Sequence, residues 1–248
     1  MIILKNRDEI RKMRESGRIA ATVRDEIASR ISPGITTLEL DEGARKLIAS
    51  LGAKSAFLGY RGYPGAVCIS IDSEVVHGIP GGRRIEIGQI VSLDVGVVYD
   101  GFVGDTATTV MVGVTDPEVI RLVRATELAL MAGVEMARAG KRLGDLSNAI
   151  EMVAANAGFS VVRDFVGHGV GRQMHEDPQI PNFGNPGKGP KLKVGMTLAI
   201  EPMVNMGESA VEVLSDGWTV RTVDRKPSAH FEHTVAIGDE GPEILTVV

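Results

Sequence analysis

The chain of 248 residues holds one cysteine, Cys68, so no internal disulfide can form. A lone thiol suits a reducing compartment, and the cytoplasm is the expected location. No uninterrupted apolar run approaches the roughly 20 residues of a membrane span. The opening MIILKNRDEI is charged within five residues and lacks a long apolar segment, which is not the pattern of a secretory signal. Positive charge is also short: 27 Lys and Arg meet 32 Asp and Glu, for a net charge of −5. Nucleic acid and anionic membrane favour a basic face, so neither is an expected partner. The GHGVG segment, Gly167 to Gly171, has neither the GxGxxG nor the Walker spacing of a phosphate loop.

Hydrophobic residues make up 44% of the chain, enough for a large core. From about Asp8 to Arg30, Ile10, Met13, Gly17, Ala20 and Ile27 are spaced for one buried helix face. The six basic residues from Lys5 to Arg18 are diluted by acids and read as a solvated face. Thr36 and Glu39 fit a capping box at a second helix, which Gly52 closes. Strands are expected around Ala66–Ile71 and Ile90–Val98. A third helix starts at the cap Asp116 with Pro117 first and runs to about Ala139, before Gly140. A fourth covers about Leu146–Ala157, closed by Gly158.

The second half echoes the first. Adding 106 to Gly34, Leu40, Ala49 and Gly52 lands on Gly140, Leu146, Ala155 and Gly158. At a shift of 107, Gly88 meets Gly195, Leu93 meets Ile200 and Asp94 meets Glu201. The pattern reads as a duplication. It predicts one α/β domain of two similar halves, about 1–113 and 114–248, with helices outside a largely antiparallel sheet.

Asp94 and Asp105 sit inside the apolar run VSLDVGVVYDGFVGDTATTV. A buried carboxylate is costly without a partner. Asp100-Gly101 signals a two-residue hairpin, which makes cross-strand partners sum to 201. Asp94 then faces Ala107, with Asp105 its diagonal neighbour on the same face, roughly 7–8 Å away at the α-carbon. Asp216-Gly217 signals a second hairpin, whose partners sum to 433 and set Glu201 opposite Glu232. Pro227 and the long arms predict a bulge or break there. One like-charged pair at about 4 Å costs on the order of 4 kcal/mol at an effective dielectric near 20. Two divalent cations would remove that cost, and carboxylates with imidazole suit Mn, Fe, Co or Zn.

Of five histidines, His168 is flanked by glycines that let a ligand approach. His77 and His175 occupy loop-like contexts, where functional residues concentrate. His230 and His233 flank Glu232; both are expected to point away from it in a strand and are not counted as ligands. Cys68 lies in the apolar strand AVCISI and reads as a buried, inert thiol.

Across nearly its whole length the sequence resembles the methionine aminopeptidases of the short bacterial type, type I. The resemblance is carried by GYRGYPGAVCISI, VVHGIP, LDVGVVYDGFVGDTA, VGHGVGRQMHEDP, LAIEPM and DGWTV…FEHT. It implies the pita-bread fold and removal of the initiator methionine from nascent polypeptides when the second residue is small. Asp94, Asp105, His168, Glu201 and Glu232 would hold two divalent ions, with Asp105 and Glu232 bridging. Water activated between them would attack the scissile carbonyl, with Glu201 relaying its proton. His175 would stabilise the oxyanion, and His77 would bind the peptide and pass a proton to the leaving amine. Phe57, Tyr60, Tyr63, Cys68, Met174 and Trp218 would line the methionine pocket; Met174 and Phe57 depart from many relatives. The type implies a monomer that engages the ribosome transiently. The runner-up readings are an X-Pro aminopeptidase or prolidase, which usually carries an extra N-terminal domain, and a non-catalytic peptide-binding module, which typically loses metal ligands.

Overall fold

A computed structural model describes residues 1–248. Helix α1 (Arg7–Arg30) begins with a capping box: Glu9 N–H donates to Asn6 Oδ1 at 3.0 Å, and Asn6 N–H donates back to the Glu9 carboxylate at 3.1 Å. Met13, Gly17, Ala20 and Ile27 form its buried face as the spacing predicts. Helix α2 (Thr37–Ser50) starts at the expected Thr36–Glu39 box. Helices α3 (Pro117–Met136) and α4 (Leu143–Asn156) depart from their predicted ends. α3 stops three residues early because the chain turns at Ala137 and Gly140 N–H donates to Leu192 O at 3.0 Å. That tertiary bond outweighs the helical preference of the alanines. α4 starts three residues early because Asp145 accepts from Arg142 N–H at 2.8 Å, a cap without the usual Ser or Thr.

The first half contributes strands β1 (Lys54–Ser55), β2 (Cys68–Ile71), β3 (Glu74–Val76), β4 (Ile90–Tyr99) and β5 (Phe102–Met111). Next come β6 (Ser160–Val161), β7 (Gly167–Gly169), β8 (Glu176–Ile180), β9 (Thr197–Ile200) and β10 (Met203–Asn205). The chain ends with β11 (Val211–Val213), β12 (Val220–Thr222), β13 (Ser228–His230), β14 (Glu232–Ile237) and β15 (Pro242–Ile244). The main sheet runs β1-β4-β5-β14-β9-β7-β8, with β2 also on β4 and β15 on β14. Every recorded pairing is antiparallel, including β5 against β14, where the two halves meet. α1 and α2 cover β2 and β4, while α3 and α4 cover the second half. No helix is long and apolar enough to cross a membrane.

Internal correspondence extends to backbone detail. Gly34 and Gly140 have φ of 93° and 94°, Gly52 and Gly158 of 73° and 83°, and Gly88 and Gly195 of 95° and 88°. Positive φ at these stops is cheap only for glycine. The pairs Lys54↔Val98 and Ser55↔Val97 recur as Ser160↔Asn205 and Val161↔Val204. One asymmetry stands out: β4 is continuous, whereas its counterpart breaks into β9 and β10 at Glu201-Pro202.

Lys5 departs from the solvated reading of the basic run. Its ammonium is buried and meets Glu176 at 2.5 Å. The rest of the run stays at the surface, with Lys12 on Asp100 and Arg14 on Glu243.

α1 lies directly on the backbone of β5. A Cβ on Gly104 would sit 2.5 Å from the Ser16 carbonyl, and one on Gly17 would sit 2.4 Å from Leu245 O. Gly104→Ala is therefore expected to lower stability by about 1–3 kcal/mol through overpacking. An unchanged urea midpoint would contradict this packing.

Candidate active site

Register brings the acids together. In the β4–β5 hairpin every partner sum is 201, from Ile90↔Met111 to Tyr99↔Phe102, and Asp94 faces Ala107 as predicted. Ala107 in turn faces Glu232 on β14. The sum of 433 holds on both sides of the second hairpin, at His233↔Ile200, Met203↔His230 and Val211↔Thr222. The expected break falls at Glu201-Pro202 without shifting the register, so Glu201 is set beside Glu232. One row across the sheet thus reads Cys68, Asp94, Ala107, Glu232 and Glu201. The next row on the same face reads Gly96, Asp105, Thr234, Ala199 and His168, with the Thr234 hydroxyl donating to Asp105 O at 2.8 Å. Side chains two apart share a face of a strand, so both rows look into one cavity. The helices pack on the opposite face, through Leu93, Val95 and Val97.

Ligand-type atoms of Asp105, His168 and Glu232 lie within 4.8 Å of one another. His168 Nε2 is 3.5 Å from Glu201 Oε1 and 3.7 Å from Asp105 Oδ2. Asp94 Oδ1, Asp105 Oδ1 and Glu232 Oε1 are buried without a hydrogen-bond partner. Burial pushes the Asp94 carboxyl up to about 7. Burial, and then neighbouring acids, hold Asp105, Glu201 and Glu232 well above the usual carboxylate range. Orphaned acid oxygens of this kind call for protons or cations.

His168 turns a neutral ring nitrogen toward the acids. Burial, and then His175, pushes its imidazole down to about 3, so it is neutral at pH 7. Nδ1 lies 2.9 Å from Gly169 O, and a carbonyl only accepts, so Nδ1 carries the proton and Nε2 faces the acids as a lone pair. Oxygen donors with one imidazole, buried and otherwise unsatisfied, fit a divalent metal.

His77 and His175 both line the cavity. His77 follows β3 at φ 61° and is held by aromatic edges, Phe165 at 5.8 Å and Trp218 at 6.3 Å between ring centroids. Gly78 fits tightly beside it, because a Cβ there would meet Ile69 O at 2.2 Å. Burial, and then His175, pushes His77 down to about 4. His175 Nδ1 is 2.8 Å from the Tyr60 hydroxyl, and its ring lies 4.3 Å from that of His168. Burial, followed by Arg61, lowers its pKa as well.

Every residue expected at the site lines a single cavity of about 180 Å³, including Phe57, Tyr60, Tyr63, Cys68, Met174 and Trp218. Tyr63 meets Trp218 edge-on at 5.1 Å and 74°. Burial, and then Asp94, pushes the Cys68 thiol well up, which keeps it protonated and inert. Arg61, Val76, Phe165, Val166 and Met203 also line the cavity and were not singled out in the sequence. Their neighbours Tyr60, His77 and His168 are the only local signal.

His230 corrects an expectation. It lies two residues before Glu232, not one, so alternation puts it on the same side. Its Nε2 is buried without a hydrogen-bond partner, 3.7 Å from Glu201 Oε2. His233 behaves as expected, turning away to bond Thr246 Oγ1 at 2.8 Å.

The model of metallopeptidase family M24 matches residues 11–239. A methionine aminopeptidase of Clostridium perfringens is 52% identical over 248 residues, covering 100% of both chains. The crystal structure of a methionine aminopeptidase from Thermotoga maritima is 48% identical, with TM-score 0.98 and full coverage of both chains. A prolidase from Pyrococcus furiosus, at 24% identity and TM-score 0.79, shares the fold alone, and this chain covers 66% of it. The α/β pita-bread fold expected from the sequence is borne out by these neighbours. With identity running end to end through the strands that carry the acids, the chain belongs to metallopeptidase family M24 and, within it, to the methionine aminopeptidases.

Proposed function

We propose that the chain removes the initiator methionine from nascent polypeptides whose second residue is small. The observation that carries this reading is one cavity with a four-acid floor, three of whose acids hold an unpaired buried oxygen, and an apolar, aromatic wall. Asp94, Asp105, His168, Glu201 and Glu232 would hold two divalent ions of Co, Mn, Fe or Zn, with Asp105 and Glu232 shared. When bound, such ions polarise the scissile carbonyl and make water nucleophilic at neutral pH.

The remaining chemistry belongs to side chains. The free α-amino group would bind near one of the ions, which favours cleavage at the chain end. Tyr63, Cys68, Trp218 and their neighbours bury the methionine side chain, a contribution of roughly 1.5–3 kcal/mol. Glu201 takes a proton from the attacking water. With the Tyr60 hydroxyl donating to His175 Nδ1, the neutral ring presents Nε2–H to the developing oxyanion, a role often worth about 3–4 kcal/mol. His77 is neutral at pH 7, so it hydrogen-bonds the peptide, and it passes a proton to the leaving amine only as a relay for the one that Glu201 takes from water.

We further propose that residues 1–248 form one catalytic domain of two similar halves, about 1–113 and 114–248. Matched glycine conformations and strand registers support this. The protein would act as a cytoplasmic monomer that meets the ribosome transiently.

Purified protein should release methionine from peptides beginning Met-Ala but not from those with a bulky second residue or an X-Pro start, and chelation should abolish release. Undiminished turnover after exhaustive metal stripping would refute the metal-dependent mechanism. Asp105→Ala should lose metal and more than about 100-fold in activity together, beyond the 10–100-fold typical of outer-shell changes. Full occupancy of both ions in that variant, measured by metal analysis, would count against the shared role. Because protons compete for carboxylate ligands, added metal should raise Tm more at pH 8 than at pH 5. Equal shifts at the two pH values, read by calorimetry, would contradict binding through these acids.

A further inference from the structure

Arg61 has no part in the chemistry above, yet it stands in the cavity wall. It occupies a one-turn 3₁₀ helix, Tyr60–Gly62, at φ 49°, between Gly59 at 80° and Gly62 at 91°. These left-handed residues form a tight projecting turn. The guanidinium carbon lies 5.4 Å from the centre of the Tyr60 ring. Tyr60 in turn bonds His175 through its hydroxyl. Stacking on a ring leaves the planar fork of N–H donors open to a carboxylate.

Arg172, two residues before Met174, is by contrast engaged: it pairs with Glu9 at 3.4 Å and stacks on Phe102 at 4.4 Å. Arg61 is exposed and makes neither an ion pair nor a hydrogen bond to another side chain. Its charge is nonetheless felt inward, because it lowers the pKa of His175. All other formally charged groups lining the cavity are the acids Asp94, Asp105, Glu201 and Glu232. Arg61 is therefore the one cationic side chain in the cavity wall, set apart from acids whose charge bound ions would neutralise.

A peptide bound with its amino end at the floor must leave through the mouth, climbing about 3.3–3.6 Å per residue when extended. We propose that Arg61 is a specificity-determining residue that favours peptides bearing a carboxylate just beyond the second residue. The carboxylate is an Asp or Glu side chain or, in a tripeptide, the free C-terminus. This rests on the aminopeptidase reading above. It concerns which N-termini are processed fastest, not whether methionine is released.

The test compares kcat/KM on amidated Met-Ala-Asp-Gly, Met-Ala-Ser-Gly and Met-Ala-Lys-Gly, and on Met-Ala-Gly with a free or amidated end. At low salt the Asp peptide should exceed the Lys peptide by about twofold to fivefold, the range of an exposed ion pair. The ratio should fall toward one at high salt, as screening shortens the reach of the charge. Arg61→Gln should erase the ratio and Arg61→Glu should invert it. A free-acid tripeptide that beats its amide only when Arg61 is present would assign the C-terminal carboxylate as a second source. Equal rates on all peptides, or a ratio that survives Arg61→Gln, would overturn the assignment. Failure to release methionine from any peptide would instead bring down the aminopeptidase reading, and this inference with it.

Discussion

Mutual repulsion among Asp94, Asp105, Glu201 and Glu232 is the constraint around which the rest of the molecule is arranged. All four are largely shielded from water, and three carry an oxygen with no hydrogen-bond partner. Free to move, such groups would swing outward into solvent. They cannot, because each grows from or beside a strand paired on both sides near the centre of the sheet. Small residues make the crowding tolerable. Gly96, Ala107 and Ala199 alternate with the acids and His168, and a Cβ on Gly96 would collide with Phe57 at 2.6 Å.

Mobile-looking loops are tied to that rigid floor. The loop carrying Met174 and His175 is fastened by Glu176, which accepts from Gln173 N–H at 3.2 Å and binds the buried Lys5 ammonium. Gly171 makes room for this pair, since a Cβ there would lie 2.5 Å from Lys5 Cε. The segment before α1 therefore helps to fix a wall of the cavity. Across the site, Tyr63 O–H donates to Gly78 O at 2.8 Å, so a pocket aromatic also steadies the turn that presents His77.

Much of this was legible in the sequence for local reasons. Asp100-Gly101 determines one hairpin register, and acids inside an apolar alternation have few other uses. Capping pairs such as Thr36 and Glu39 announce helix starts through backbone chemistry alone. What escaped notice depends on contacts far along the chain. α3 ends where Leu192 competes for Gly140, and Lys5 is buried by Glu176, 171 residues away. Arg61 and Phe165 reach the cavity because of how turns are aimed, and Met203 because β10 resumes just past the break at Glu201-Pro202, neither of which composition encodes. His230 was legible from alternation and was misassigned by one residue of counting.

The interruption at Glu201-Pro202 has an architectural result. Beyond it the second hairpin runs out as an arm whose tip holds Trp218, with Asp216 accepting the Trp218 and Thr219 N–H groups at 2.9 Å. On its way back, β12 pairs with β3 through Val220↔Val76, stitching onto the first part of the chain beside His77. The floor of the chamber is thus common property of early and late strands, while its roof is lent by the late ones and fastened to the early ones. Loosening that one stitch would therefore shift Trp218 and the turn at His77 together while the acid floor kept its register.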